Sequence, residues 1–256
     1  MQQIDVVLLT KNSEHLLTRC LASVYQNVPI KNLIVIDGNS TDRTLEILGK
    51  FNRQYGNVSV FQMNGSRAKA RTEGIRKVKT EWFMFVDSDV LLCPSWFRRA
   101  EADLADGVGA MWGLNVDVIP NVTDRRALKL QCLVARQCFN LRGGTHDTLI
   151  LHKAMEGIEI PEQLHTFEDA YIMRWIKSRG YKVKVGSDVY CLHYKPPENW
   201  NFKSGIAQAI SELKCGLMYS HLYKYVAFYP VFFFYWGLQM PLSGLRRARQ
   251  SKPQMV

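Results

Sequence analysis

The sequence predicts an α/β fold with a doubly wound sheet. Short, wholly apolar runs at Val6–Leu9, Leu33–Ile36 and Trp82–Val86 are typical of strands that are buried on both faces. Between these runs, residues 16–24 and 45–51 place their apolar side chains at helical spacing. Because strands and helices alternate, the strands are expected to run parallel, with helices covering both faces of the sheet.

Composition narrows the class of protein. The chain has 256 residues, of which 47% are apolar and 22% charged, which is enough for one sizeable core with an appendage. These proportions exclude collagen-like, disordered and disulfide-stapled chains. The six cysteines form no C-x-x-C pair, so we expect free thiols in a reducing compartment. The amino terminus lacks a basic region and a small-residue cleavage site, so we expect no secretory signal.

The net charge of +10 points to a partner that carries phosphate: nucleic acid, a nucleotide or an anionic membrane. No recognisable nucleic-acid-binding motif is present, and we expect no nucleic-acid partner. The excess charge lies mainly in residues 67–79 and 200–256, which hold net charges of +5 and +6. Taken alone, the first stretch is typical of a solvated helix face.

The predicted organisation has a main domain over residues 1–199 and a different region over 200–256. Residues 1–110 form the doubly wound half, in which ligands bind beyond the carboxyl ends of the strands. The strand pattern loosens past Gly109, and helices are predicted over about 124–138 and 167–178. Polar residues that follow the strands are therefore the candidates for a binding site.

The carboxyl-terminal region contains a candidate membrane segment. Tyr225–Leu245 has no charged side chain, and three arginines and a lysine follow it within seven residues. Pro230, Gly237 and Pro241 interrupt the run. A spanning helix would also place the basic tail on the side of the membrane opposite a cytosolic domain, against the positive-inside tendency. We therefore favour an interfacial or re-entrant segment on anionic lipid. The alternative is a hydrophobic surface for homo-oligomer formation.

The strongest local motif is Asp87-Ser88-Asp89, directly after an apolar strand. Alternate side chains of an extended backbone share a face, so Asp87 and Asp89 are placed to converge on one hard cation. A metal that bridges them to a diphosphate would neutralise a leaving nucleotide. A bare Asp-x-Asp is also compatible with an ordinary polar turn.

A second strand ends at Asp37, where a ribose hydroxyl or a base N–H would be within reach. The Gly-Asn-Ser-Thr-Asp turn after it leads into a helix, which we expect Thr41 or Asp42 to cap. Glu168 and Asp169 open another predicted helix, where acids favour the helix dipole even without a catalytic role.

In this order the motifs resemble those of glycosyltransferase family 2, which has the GT-A fold with a mixed sheet. The resemblance covers about residues 4–195. The matching stretches are Thr10–Glu14, Asp37–Asp42, Ser66–Gly74, Asp87–Asp89, Arg142–Met155 and Thr166–Tyr181. It implies that residues 1–110 are the nucleotide-binding half and residues 111–199 the acceptor-binding half.

The resemblance also implies roles for individual residues. It places Asp169 as the catalytic base with Glu168 beside it, and it implies a divalent metal, Mn²⁺ or Mg²⁺. The implied nucleotide-binding residues are Thr10, Asn12, Glu14, Asp37, Arg71, Asp87 and Ser88. The implied metal ligands are Asp87, Asp89 and His193, and the implied acceptor-binding residues are Gly143, Gly144 and Thr145.

Departures from the family pattern refine these expectations. Gly38 stands where a second carboxylate is common, and Thr72 replaces the usual asparagine. His152-Lys153 stands where paired arginines are frequent. The Gln-x-x-Arg-Trp signature of processive synthases is absent, which favours transfer of a single sugar over polymerisation.

The sequence thus predicts an inverting, metal-dependent glycosyltransferase at the cytosolic face of a membrane. The donor is a nucleotide-diphosphate sugar, with UDP favoured and GDP possible, and the acceptor a lipid-linked or other glycan. In a variant of this hypothesis the acceptor is a polyprenyl phosphate, which needs no base. The alternative from another class is a membrane-bound scaffold that keeps the fold without activity. A phosphohydrolase ranks last because its Asp-x-Asp would stand on the first strand.

Overall fold

The computed structural model of the chain describes residues 3–118, 144–162, 164, 168–194 and 234. Strands and helices of this part alternate from β1 to β4, over residues 4–87, as the sequence predicts. In chain order they are β1 (Ile4–Thr10), α1 (Glu14–Asn27), β2 (Ile30–Asp37), α2 (Thr44–Tyr55), β3 (Val58–Gln62), α3 (Arg67–Lys77), β4 (Trp82–Asp87), β5 (Val90–Leu92), α4 (Trp96–Ala102), β6 (Val108–Val118), β7 (Asp147–Leu151), a 3₁₀ helix (His152–Met155), α5 (Glu168–Ser178) and β8 (Lys182–Tyr194).

The eight strands form one mixed sheet in the order β3-β2-β1-β4-β7-β6-β8-β5. Strands β1 to β4 pair in parallel, and β7 then pairs antiparallel with both β4 and β6. Strand β5 pairs antiparallel with β8. The predicted doubly wound, mixed sheet is therefore confirmed, and the carboxyl ends of β1, β2 and β4 lie together at one edge.

The strands are apolar at nearly every position because the sheet has two separate cores, one on each face. Val6 and Leu8 of β1 pack in the core that contains Leu17 of α1. Val7, between them, packs in the opposite core, which contains Ile75 of α3. Successive side chains of a strand point to opposite faces, so a strand covered on both sides needs apolar residues at every position.

Three of the predicted helices are observed, and Asp42, one of the two expected caps, lies at the start of α2. The patterns at 16–24, 45–51 and 167–178 correspond to α1, α2 and α5. Helix α2 begins at Thr44 with no side-chain cap from Arg43. Asp42 accepts hydrogen bonds from the backbone N–H groups of both Thr44 and Glu14, each at 3.0 Å. One carboxylate thus serves the starts of two helices, which the sequence analysis did not foresee.

The strand pattern of the sequence loosens past Gly109, but the structure has a strand there. Strand β6 runs through both Gly109 and Gly113, whose lack of a side chain weakens the strand pattern. Their positions require glycine for packing. A Cβ on Gly113 would overlap the Asp147 carboxylate, and a Cβ on Gly109 would lie 2.6 Å from Cβ of Tyr181.

The chain divides into two compact units. The first comprises residues 1–116 and 142–193, and the second comprises 117–141 and 194–256. The helix expected at 124–138 and the apolar segment Tyr225–Leu245, except Phe234, lie outside the described residues. No helix in the described part of the chain has the length and apolar character needed to cross a membrane.

Candidate active site

The loops that follow β1 and β2 are hydrogen bonded to each other. The backbone N–H of Asn12 donates to Ser40 Oγ at 2.8 Å, and the N–H of Thr41 donates to Asn12 Oδ1 at 2.9 Å. Glu14 Oε2 accepts from the N–H of Arg43 at 3.1 Å. Asn12 has a φ of 49°, a left-handed conformation that asparagine tolerates better than most residues. Two motifs whose contacting residues are 28 and 29 positions apart in the sequence therefore form a single rim.

Asp37, at the end of β2, lies beneath this rim and is 0% exposed. Its Oδ1 accepts from the hydroxyls of Thr10 at 2.8 Å and Ser40 at 2.6 Å, and its Oδ2 accepts from the backbone N–H of Ser40 at 2.8 Å. Gln62 Nε2 lies 3.4 Å from Oδ2. These contacts connect β1, β2 and β3, so Asp37 and Thr10 shape the edge on which a nucleotide would rest.

The Asp87-Ser88-Asp89 motif forms the turn between β4 and β5, beside this rim. Ser88 Oγ is hydrogen bonded to Ser13 Oγ at 2.9 Å. Asp89 Oδ2 lies 3.2 Å from Nε2 of His193 on β8, although the two residues are 104 positions apart. The structure thus brings together two of the three predicted metal ligands, with Asp87 in the same turn. Carboxylate oxygens with one imidazole nitrogen are a donor set that suits Mn²⁺, so these residue types fit the implied metal. The donor atoms of Asp87, Asp89 and His193 are not all within 4.8 Å of one another.

Arg71 is the exception within the basic stretch 67–79. It is 2% exposed, whereas Arg67, Arg76 and Lys79 are exposed to solvent, as expected for a solvated helix face. Its Nη2 donates to Asp87 Oδ1 at 2.8 Å. Burial raises the pKa of Asp87, but the charge of Arg71 outweighs this effect with help from two histidines, so the net pKa lies below the usual aspartate value.

Glu168 and Asp169, at the start of α5, lie in different environments. Glu168 is 5% exposed, and its Oε1 is 3.6 Å from Nε of Arg71. Asp169 is half-buried, and its Oδ1 accepts from the N–H of Ala170 at 2.7 Å. Of the two acids, Asp169 is therefore the one that an incoming molecule can reach.

Sequence reasoning missed His146 and Asp147, which form a buried pair beside the Asp87 turn. His146 Nδ1 lies 2.5 Å from Asp147 Oδ1, and Trp96 Nε1 donates to Asp147 Oδ2 at 2.9 Å. The carbonyl of His146 accepts from the N–H of Asp87 at 3.1 Å. Burial lowers the pKa of His146, but Asp147, aided by Asp87 and Asp169, outweighs this effect and raises the net value. No motif marks the pair, because its partners come from distant parts of the chain.

Among the described residues, the three side chains whose donor atoms converge as in a metal site are His146, Asp147 and Cys191, all within 4.8 Å of one another. The 2.5 Å separation of Nδ1 and Oδ1 is that of a hydrogen bond. It is shorter than the separation of about 3.3 Å expected for two ligands bound tetrahedrally to one ion at about 2.0 Å. Both oxygens of Asp147 also have protein partners. The cluster is therefore a hydrogen-bonded pair that stabilises the site.

The predicted acceptor loop is described only in part, because Gly143 lies outside the described residues. Gly144 packs against the ring of His146, with no room there for a Cβ. Its carbonyl accepts a short hydrogen bond from the Thr148 hydroxyl, and Thr145 is buried. Gly144 and Thr145 thus hold the His146 side of the site.

The fold and the site together define an α/β protein in which the acids Asp37 and Asp87 lie at the carboxyl ends of the parallel strands on either side of β1. The profile of Glycosyl transferase family 2 matches residues 5–153, more than half of the chain. The chain belongs to glycosyl transferase family 2, as the sequence motifs indicated.

The relatives include enzymes that glycosylate polyol-phosphate polymers. The chain is 31% identical over 236 residues to poly(ribitol-phosphate) beta-glucosyltransferase of Bacillus spizizenii, an alignment that covers 83% of this chain and 37% of that protein. It is 34% identical over 203 residues to the Staphylococcus aureus poly(ribitol-phosphate) beta-N-acetylglucosaminyltransferase TarS, covering 73% of this chain and 35% of that one. The chain therefore spans about a third of the length of these two relatives.

Solved structures share the fold. The complex of S. aureus TarS with UDP-GlcNAc matches with a TM-score of 0.58 at 23% identity, covering 76% of this chain and 59% of that chain. The mannosyltransferase PcManGT of Pyrobaculum calidifontis, in complex with GDP-Man and Mn²⁺, matches with a TM-score of 0.62 at 17% identity. That match covers 98% of this chain and 76% of the other. At these identities the likeness establishes the GT-A fold.

Proposed function

We propose that the protein transfers one sugar from a nucleotide-diphosphate donor to a hydroxyl of a glycan or lipid-linked acceptor, with inversion at the anomeric carbon. One observation carries this proposal. Four motifs that are far apart in the sequence meet at one edge of the sheet, where the half-buried Asp169 follows the buried Glu168.

The residues divide the chemistry between a donor side and an acceptor side. On the donor side, the rim formed by Asn12 and Ser40 lies over Asp37 and receives the nucleotide. Asp89 and His193, with Asp87 beside them, would hold a divalent cation, which would supply positive charge beside the departing diphosphate. On the acceptor side, Asp169 takes the proton of the acceptor hydroxyl as the oxygen attacks the anomeric carbon. Attack from the face opposite the nucleotide inverts the configuration.

The relatives favour a UDP-sugar donor and a polymeric acceptor. TarS has been solved with UDP and with UDP-GlcNAc, and the names of TarS and the Bacillus enzyme give poly(ribitol-phosphate) as the acceptor. GDP-sugars remain the second donor class, because the mannosyltransferase of the same fold is complexed with GDP-Man. A polyol-phosphate chain offers free hydroxyls, which is the acceptor chemistry that requires Asp169.

The donor assignment predicts metal-dependent binding of UDP. In calorimetric titrations with UDP, UDP-GlcNAc and GDP-Man, we expect a uridine nucleotide to bind in the presence of Mn²⁺ and at least tenfold more weakly without it. Asp89→Ala removes one carboxylate ligand and is expected to abolish the metal dependence. Asp188→Ala is the control, because Asp188 is exposed and pairs with Arg99 at 2.9 Å. Absence of binding by any of these nucleotides to the folded protein would contradict the proposal.

We also propose that the carboxyl-terminal region holds the enzyme at the cytoplasmic face of the membrane. The proposal rests on the uncharged run Tyr225–Leu245 and the basic residues that follow it. Lys and Arg side chains near anionic lipid contribute about 1 kcal/mol each, and aromatic rings favour the headgroup depth. An enzyme attached in this way would meet a lipid-linked acceptor directly.

Membrane attachment predicts that the full chain sediments with vesicles that contain phosphatidylglycerol. Replacing Arg246, Arg247 and Arg249 together with glutamine is expected to weaken this binding about 100-fold, since each charge contributes about 1 kcal/mol. Vesicles of phosphatidylcholine alone are the control. Equal binding to both kinds of vesicle, or no binding to either, would contradict the electrostatic attachment.

A further inference from the structure

Arg71 lies between two acids that belong to separate motifs. Its Nη2 donates to Asp87 Oδ1 at 2.8 Å, and its Nε lies 3.6 Å from Glu168 Oε1. Asp87 ends β4 on the donor side, whereas Glu168 begins α5 on the acceptor side. One guanidinium on α3 therefore contacts both sides of the candidate active site.

The contacts of Arg71 are internal to the protein. The side chain is 3% exposed, and its guanidinium carbon lies 4.9 Å from the centroid of the Phe85 ring. Its Nε and Nη1 are buried and have no hydrogen-bond partner among the described residues. A buried charge needs compensation, and here Asp87 and Glu168 provide it. The position of Arg71 is thus determined by these two acids, and it in turn fixes theirs.

Glu168 and its neighbour Asp169 lie on different faces of the first turn of α5. Successive residues of an α-helix are rotated by about 100°, so two adjacent side chains cannot face the same partner. With Glu168 directed at Arg71, the first turn of α5 has a defined rotation, and Asp169 is left on a different, half-buried face. A shift of Glu168 would therefore change the orientation of the Asp169 carboxylate.

We propose that Arg71 and Glu168 are positioning residues that set the geometry between the donor side and the catalytic base. The inference rests on the proposed function and deepens it. In this inference Glu168 does not contact the substrate but orients Asp169 through the rotation of α5. A misplacement of about 1 Å in a catalytic group costs about 100-fold in rate, so a small rotation of α5 is enough to matter. Arg71 acts in the same way on both Asp87 and Glu168.

The test uses Glu168→Gln, which keeps the shape of the side chain and removes its charge. We expect kcat for sugar transfer to fall 10- to 100-fold, while KM for the nucleotide sugar and the affinity for UDP with Mn²⁺ stay within twofold of the wild type. Arg71→Lys keeps the charge but loses the planar fork, and is expected to lower both kcat and the affinity for UDP. Glu73→Gln is the matched control, because it breaks an exposed 2.7 Å pair with Arg76 on the same helix and should change neither value.

The outcomes separate this inference from the proposed function. An unchanged kcat in Glu168→Gln would refute the positioning role, and so would a loss of UDP affinity as large as the loss of kcat. A fall in kcat that is explained by a lower melting temperature would also refute it, since the role would then be structural. A wild-type protein that binds no nucleotide and transfers no sugar would refute the proposed function itself.

Discussion

Replacing Asp169 with asparagine is expected to lower the rate of transfer to a hydroxyl acceptor about 1000-fold, the scale of a general base in the transition state. Asparagine has nearly the same shape, keeps an oxygen that can accept from the N–H of Ala170, and cannot take a proton. Donor binding should remain within twofold, because the nucleotide is expected to lie at the ends of β1, β2 and β4. The measurement is the initial rate of sugar transfer, with UDP affinity determined in parallel.

Glu156→Gln is the control for this change of charge. Glu156 is exposed and pairs with Arg179 at 3.2 Å, so its replacement should leave the rate unchanged. If Asp169→Asn transfers sugar at the wild-type rate, Asp169 is not the catalytic base. With a polyprenyl phosphate as acceptor it would favour the phosphate variant of the hypothesis, since an ionised phosphate needs no base.

The sequence predicted the donor side of the site because of a general property of parallel sheets. Residues at the carboxyl ends of β1, β2 and β4 meet at one edge whatever their separation in the chain. Asp37 and Asp87 could therefore be placed together without any knowledge of side-chain contacts. Asp89 and His193 were brought together only by the family resemblance, and their 3.2 Å contact depends on the pairing of β5 with β8.

The features that sequence reasoning missed depend on packing. The family resemblance singled out Arg71, but its burial between Asp87 and Glu168 could not be predicted from the basic run in which it stands. The contacts of Asp147 come from Trp96 and His146, and the space it occupies exists because Gly113 has no side chain. The set around Asp147 is assembled by the antiparallel strands β6 and β7, which the sequence analysis did not predict.

Asp147→Ala is expected to lower the free energy of unfolding by about 4 kcal/mol, because two buried groups lose their hydrogen-bond partner at about 1–3 kcal/mol each. Asp147 is 0% exposed and is the acceptor for Trp96 Nε1 and the partner of His146 Nδ1. Cys191 Sγ, at 3.4 Å from Nδ1, is too weak an acceptor to replace the carboxylate. The measurement is chemical denaturation, with Asp147→Asn expected to lose less because the amide keeps one acceptor oxygen.

Replacing Asp147 should also weaken nucleotide binding at the active site. Replacing an ordinary core residue would lower stability without this effect. His146 accepts from the N–H of Asp87 through its carbonyl, so a loosened His146 releases the turn that contains Asp87 and Asp89. We therefore expect Asp147→Asn, under conditions where it is fully folded, to bind UDP with Mn²⁺ at least threefold more weakly than the wild type. If Asp147→Asn is destabilised but binds UDP with unchanged affinity, Asp147 contributes to stability alone. If Asp147→Ala is as stable as the wild type, the stabilising role of the His146–Asp147 pair is contradicted.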